Sequence, residues 1–308
     1  MKTAVSEAHG LQPVGLPALP LSRSRLADYV ELTKPRVSVL VLFTVAAGAW
    51  LAGRSDLDGW LVLHTVCATG LVAAGASALN QLLERHSDAL MRRTENRPLP
   101  AGRLQPLEVL LFGLALGAGG LLYLALAVRQ PLTVLIAGIT FVLYAFLYTP
   151  LKRCTTLNTL VGAVPGALPP VIGWSAVQGT LAPEAGILFA VLFLWQVPHF
   201  LAIAWIYRED YRRAGLRMLP VVDGDGRLTG RQMVVYCLAL VLVSLMPVAL
   251  HRAGMLYAAG ALLLGLGFLG STLGFVREVS NARARRVLRA SLLYLPLLLV
   301  LLLLQGIN

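Results

Sequence analysis

Apolar and polar positions alternate along this chain in long blocks rather than residue by residue. Nine apolar blocks lie near 37–53, 60–83, 107–128, 131–148, 158–177, 184–206, 233–250, 254–276 and 287–306. Each approaches or exceeds the roughly 20 residues that carry a helix across a bilayer. A membrane β-barrel would instead show short segments of strict alternation, and the sequence has none. The pattern predicts an all-α polytopic membrane protein with nine transmembrane helices. A short amphipathic stretch, LADYVELTKPRV, precedes the first. The first 27 residues are polar, carry Pro13, Pro17 and Pro20, and lack the apolar core of a cleaved signal peptide. They are expected to form a mostly disordered cytoplasmic tail, with 28–308 as one transmembrane domain.

Composition agrees. Of 308 residues, 57% are hydrophobic and 13% charged, against about 25% charged in a soluble domain. The net charge of +11 does not point to nucleic acid, because its distribution has another cause. Lys34 and Arg36 precede the first helix, and Arg85, Arg92, Arg93, Arg97 and Arg103 follow the second. Lys152 and Arg153 follow the fourth. Arg208, Arg212, Arg213, Arg217, Arg227 and Arg231 follow the sixth, and Arg277, Arg283, Arg285 and Arg286 precede the ninth. The intervening loops hold only Arg54, Arg129 and Arg252. Cytoplasmic loops accumulate Lys and Arg, so the N-terminus is expected in the cytoplasm and the C-terminus outside. Cys67, Cys154 and Cys237 are widely spaced and form no zinc, haem-attachment or disulfide framework.

The two longest loops, 84–106 and 207–232, fall on the cytoplasmic side four helices apart, a faint internal repeat. Each opens on acids. Asn80, Glu84 and Asp88 are spaced i, i+4, i+8, so on a helix they share one face about 6 Å apart along the axis. Three oxygen-bearing side chains in file suit a divalent cation, and magnesium favours carboxylate plus substrate phosphate. Arg92, Arg93 and Arg97 follow, and guanidinium groups suit a diphosphate. Charges in such a loop are ordinarily just solvated. Asn80 argues otherwise, since it lies inside an apolar run where a polar group is costly. The second acidic pair, Glu209 and Asp210, follows His199 on the same side. The residues alone therefore describe a magnesium-dependent membrane enzyme acting on a diphosphate.

The same segments carry a resemblance. NQLLERHSDALMRRTENRPLP, from Asn80 to Pro100, resembles the NxxxDxxxD motif of the UbiA superfamily of intramembrane prenyltransferases. Its MRRTENRPLP portion is similar to the protohaem IX farnesyltransferases, the haem O synthases, within it. YVELTKPRV, YTPLKR, WQVPHFLAIAW and REDYRRAGLRMLPV resemble the same group, in order, between residues 29 and 221. Two departures stand out. Glu84 replaces the more usual Asp, and Glu209-Asp210-Tyr211 stands where many relatives carry DxxxD.

The resemblance implies a UbiA-type helical bundle. It implies transfer of farnesyl from farnesyl diphosphate to a vinyl group of protohaem IX, with addition of water, giving haem O. Mg2+ is the implied cofactor, held by Asn80, Glu84 and Asp88, with Asp210 and Glu209 at a second ion. Arg92, Arg93, Arg97, Lys152, Arg153 and Arg208 become contacts to phosphate or to haem propionates. His199 becomes a contact to haem iron or diphosphate, although a histidine beside Pro198 can equally bond a neighbour. Tyr148 and Tyr207 become shields for an allylic cation, or members of an interfacial belt. The implied setting is the bilayer of a cell inner (plasma) membrane, with the site toward the cytoplasm and a haem A synthase downstream. Two rivals remain at this level: an aromatic or quinone-precursor acceptor, and a secondary transporter. Transporter sites sit near the midplane, whereas these acids cluster at the boundary.

Overall fold

The computed structural model describes residues 24–53 and 56–305, so most of the expected N-terminal tail lies outside the described residues. All described secondary structure is helical. A short helix α1 (Arg25–Leu32) opens the fold, capped by Ser24, whose side chain accepts from the backbone of Ala27. It starts three residues before the expected domain boundary at 28. Six helices then cross in turn: α2 (Pro35–Gly53), α3 (Gly59–Asp88), α4 (Pro106–Val128), α5 (Pro131–Cys154), α6 (Asn158–Gln178) and α7 (Pro183–Ile206). Two short helices, α8 (Arg208–Arg213) and α9 (Leu219–Val222), lie in the following loop. The last three crossings are α10 (Arg227–Ala249), α11 (Met255–Arg277) and α12 (Asn281–Gln305). Nine described helices are therefore long and apolar enough to span, as the hydropathy pattern predicts.

Proline starts α2, α4, α5 and α7, where its missing N–H costs nothing and its fixed φ suits the first turn. In α6 the consecutive Pro169 and Pro170 remove two backbone donors, and the helix breaks into Asn158–Ala167 and Pro169–Gln178. α6 and α7 are the most enclosed spans, 67% and 61% buried, against 28–44% for the others. They form the centre, and the remaining helices face lipid on one side. Small residues bring backbones together, as expected where lipid supplies no hydrophobic drive between helices. A Cβ at Gly173 of α6 would lie 1.9 Å from the Val45 carbonyl oxygen of α2, so only glycine fits that crossing.

Alternating directions put the start of α2 and the ends of α3, α5 and α7 at one face of the bundle, hereafter the charged end. One boundary differs from the hydropathy reading in a way that matters. α3 does not stop at Leu83 but runs to Asp88, so Glu84 and Asp88 stand on a rigid helix rather than in a loop.

Candidate active site

Asn80, Glu84 and Asp88 line one face of the last two turns of α3. Their exposures are 1%, 8% and 0%, so none is a solvated loop residue. Each is met by a cation from a different segment. Lys34, between α1 and α2, donates from Nζ to Asn80 Oδ1 at 2.8 Å. Lys152, near the end of α5, donates from Nζ to Glu84 Oε1 at 2.5 Å. Arg97, in the loop after α3, donates to Asp88 Oδ2 at 2.6 Å. Asn80 completes its bonding by donating from Nδ2 to Thr149 Oγ1 at 3.0 Å, and Thr149 in turn donates to the Tyr144 carbonyl. Asp88 Oδ1 is buried with no donor among the described residues.

Lys34 carries a second oddity. Its backbone φ is +49°, a left-handed conformation uncommon for a side chain of this size. That turn joins α1 to α2 and brings the ammonium to Asn80. Burial above all, then the neighbouring Arg97, push the Lys34 ammonium down to about 7, while Glu84 works the other way. Charged and neutral forms of this amine are thus close in energy near neutrality.

The other predicted residues divide. Arg153 donates to Ser87 Oγ at 2.8 Å and ties α5 to α3. Arg93 donates to the Tyr211 hydroxyl at 2.8 Å and stacks over the rings of Tyr207 and Tyr211. Met91 packs with Ala204, Tyr211, Ala214, Leu216 and Met218. These contacts join the loop after α3 to the loop after α7, the two segments that open on acids. The second loop also closes on α5, since Arg217 donates its backbone N–H to the Lys152 carbonyl. Asp210 is half-buried and paired with Arg213, while Glu209 is exposed and paired with Arg212. Arg92 is exposed. Arg208 turns away, donating to Asn281 and the Trp205 carbonyl against α12. Among the described residues no three carboxylates, histidines or cysteines converge on one point. The five expected metal ligands therefore fall into two groups, and each carboxylate is held by a basic side chain.

Immediately beyond the row lies a chamber of about 320 Å³, enclosed by α2, α3, α5, α6, α7 and α12. Its wall is mainly apolar, with Tyr144, Tyr148, Gln196 and His199 as the larger polar members among several serines and threonines. Tyr148 links chamber and charge, because Lys152 Nζ sits 4.4 Å above its ring. Tyr207 does not reach the chamber and serves Arg93 instead. His199 Nδ1 lies 2.8 Å from Ser291 Oγ. That hydroxyl already donates to the Leu288 carbonyl, so it accepts from His199, which carries its proton on Nδ1. Nε2 is left as the ring's free acceptor. Trp195 stacks on the imidazole and donates to the Ser291 carbonyl, holding the arrangement.

Two members of the site escaped the motif reading. Lys34 counted there only as a cytoplasmic positive charge, although it sits in the quoted YVELTKPRV segment. Thr149 lies in the quoted YTPLKR segment but had no chemical role there, because its meeting with Asn80 exists only once α3 and α5 pack.

Comparison with known proteins places this geometry. The profile described as "UbiA prenyltransferase family" matches residues 41–302. A protein of Solibacter usitatus named protoheme IX farnesyltransferase is 50% identical, over 91% of this chain and 99% of its own. One of the same name from Koribacter versatilis is 44% identical, over 96% and 97%. Among solved structures, one of a digeranylgeranylglyceryl phosphate synthase superposes with a TM-score of 0.77 at 18% identity, covering 92% of this chain and 98% of that one. A UbiA homolog from Archaeoglobus fulgidus, bound to GPP and Mg2+, superposes with a TM-score of 0.63 at 18% identity, over 89% and 99%. Those two likenesses concern the fold.

Proposed function

Since the chain belongs to the UbiA prenyltransferase family, we propose that it transfers farnesyl from farnesyl diphosphate to a vinyl group of protohaem IX. Water adds, diphosphate leaves, and the product is haem O. The observation that carries the reading is the buried row Asn80, Glu84, Asp88, each met by a cation and set against an apolar chamber.

Two carboxylates and an amide oxygen, with one buried carboxylate oxygen lacking a donor among the described residues, are a donor set that would hold a magnesium ion. When bound there, Mg2+ supplies charge neutralisation for the departing diphosphate. Asp210, half-buried, suits a second ion better than the exposed Glu209. The chain's own groups do the rest. Lys34, Lys152 and Arg97 stand where phosphate oxygens arrive: Lys34 exchanges the Asn80 amide oxygen for phosphate, and Lys152 and Arg97 exchange the Glu84 and Asp88 carboxylates. Diphosphate favours the charged form of Lys34, whose ammonium is otherwise poised to lose its proton. Arg93 and Arg153, tied down by Tyr211 and Ser87, frame the entrance. The farnesyl chain lies along the chamber wall, which keeps water from the allylic carbon, and the Tyr148 ring faces the developing cation. The vinyl group forms the new carbon–carbon bond as the C–O bond to diphosphate breaks, and water then captures the haem-side cation and gives up a proton. His199 Nε2 is the available ligand for haem iron. The product is a substrate for a haem A synthase.

Two experiments test this. Membranes given protohaem and farnesyl diphosphate should yield haem O, chelation with EDTA should stop its formation, and added magnesium should restore it. Undiminished turnover in excess chelator would remove magnesium from the scheme. Orientation is tested separately. The arginine asymmetry supports a cytoplasmic position for the charged end. A reporter fused after Asn308 is then expected to be active as a periplasmic domain, and one inserted after Pro100 as a cytoplasmic one. The opposite pattern would reverse the topology.

A further inference from the structure

A second cavity, of about 440 Å³, lies at the opposite end of the bundle, lined in part by Leu51, Trp174, Glu184, Ile187, Arg252 and Leu302. It shares α2, α6, α7 and α12 with the chamber but does not continue it. The α2–α6 crossing stands between them. There Gly48 meets Pro170, and Gly173 meets Val45, backbone against backbone. A molecule in the outer cavity is therefore separate from the prenyl substrate.

Its chemistry is amphiphilic. Apart from Glu184 and Arg252 the walls are mainly leucine, isoleucine, alanine and indole, and Gln178 spends its amide N–H on the Ala52 carbonyl. At the mouth, Arg252 Nε contacts Glu184 Oε1 at 2.9 Å. The Arg252 side chain is 55% exposed and that of Glu184 25%, and the two Nη nitrogens of Arg252 have no partner among the described residues. His251, at φ +55°, turns the chain between α10 and α11 just before Arg252. Trp174 Nε1 is buried without an acceptor among the described residues. An adjacent cation and carboxylate where α7 begins and α10 has ended, above an apolar recess, match a molecule with an anionic and a cationic group side by side on an acyl stem.

We propose that this cavity holds a resident glycerophospholipid with an amine headgroup. Arg252 binds the phosphate through its free Nη groups, Glu184 takes the ammonium, and an acyl chain fills the recess between Leu51, Ile187 and Leu302. The assignment is independent of the prenyl-transfer reading.

Native mass spectrometry of the full chain in mild detergent tests it, after equilibration with equal amounts of phosphatidylethanolamine and phosphatidylglycerol. Wild-type protein is expected to retain one phospholipid, with the amine form preferred about tenfold. Arg252→Gln, at a half-exposed position, should fold normally and lose retention of both lipids by about tenfold. Glu184→Gln should keep a lipid but lose the preference for the amine. Haem O formation by Arg252→Gln should stay unchanged, since the residue lies at the far end from the diphosphate. Equal retention by wild type and Arg252→Gln, or no retained lipid in either, overturns the proposal. Displacement of the lipid by inorganic phosphate alone would also overturn it, marking a simple anion site.

Discussion

Asp88→Asn is expected to lower haem O formation by about 10²- to 10³-fold, the usual consequence of losing one preorganised charge in a reacting site. The residue is fully buried, yet one of its oxygens has no donor while the other takes Arg97 at 2.6 Å. A structural carboxylate at a helix end would use both oxygens. An oxygen left free on the face shared with Asn80 and Glu84 suits a ligand that arrives with substrate. Asn preserves the shape and removes the charge, so the backbone of α3 and the loop anchored by Arg97 should persist. If Asp88 only pins that loop, the variant should instead show a lower unfolding temperature and near-normal turnover per folded molecule. Activity normalised to protein in the membrane, together with thermal unfolding in detergent, separates the two. Turnover above about a third of normal in a folded Asp88→Asn protein, a loss well below a single charge contact, would take Asp88 out of the reaction.

That residue also shows how much could be read beforehand. The nine spans were legible because a bilayer demands long uncharged runs, and the row on α3 because a four-residue spacing needs no tertiary information. Where α3 ends was not legible. Charged residues look like loop, and the extra turn to Asp88 is stabilised by Lys152 and Arg97, which come from elsewhere in the chain. Which basic residue meets which acid was equally hidden. Nine Lys and Arg residues at the start of α2, in and after the end of α3 and at the end of α5 carry the same cytoplasmic signal, and only packing of α2 and α5 on α3 selects Lys34 and Lys152. The second acidic pair illustrates the reverse case. Glu209 and Asp210 looked equivalent in sequence, and the start of α8 leaves one half-buried and the other exposed. Arg208, one residue earlier, is directed to α12, because a single helical step turns a side chain by about 100°.

Asn80→Ala is expected to cut turnover by on the order of a hundredfold while the protein still accumulates in the membrane. Asn80 is uncharged, buried and inside a span, so loop solvation cannot explain it. It makes two bonds: Lys34 donates to its oxygen, and its amide donates to Thr149. If those bonds only staple α2 and α5 to α3, alanine costs about 1–3 kcal/mol of stability and the folded fraction works normally. The geometry favours more. The oxygen stands one helical turn from Glu84, and its donor, Lys34, is held by a strained backbone that a staple would not require. Such strain collects at functional sites. Alanine would leave Lys34 without its acceptor and misplace the cation that meets diphosphate. Asn80→Asp is the sharper control. It keeps an oxygen for Lys34 and for metal, and it adds a negative charge opposite the incoming phosphates. Partial activity with a shifted magnesium requirement is expected from it. An Asn80→Ala protein that makes haem O at the unmodified rate, whatever its stability, would show that the row of three is a coincidence of spacing.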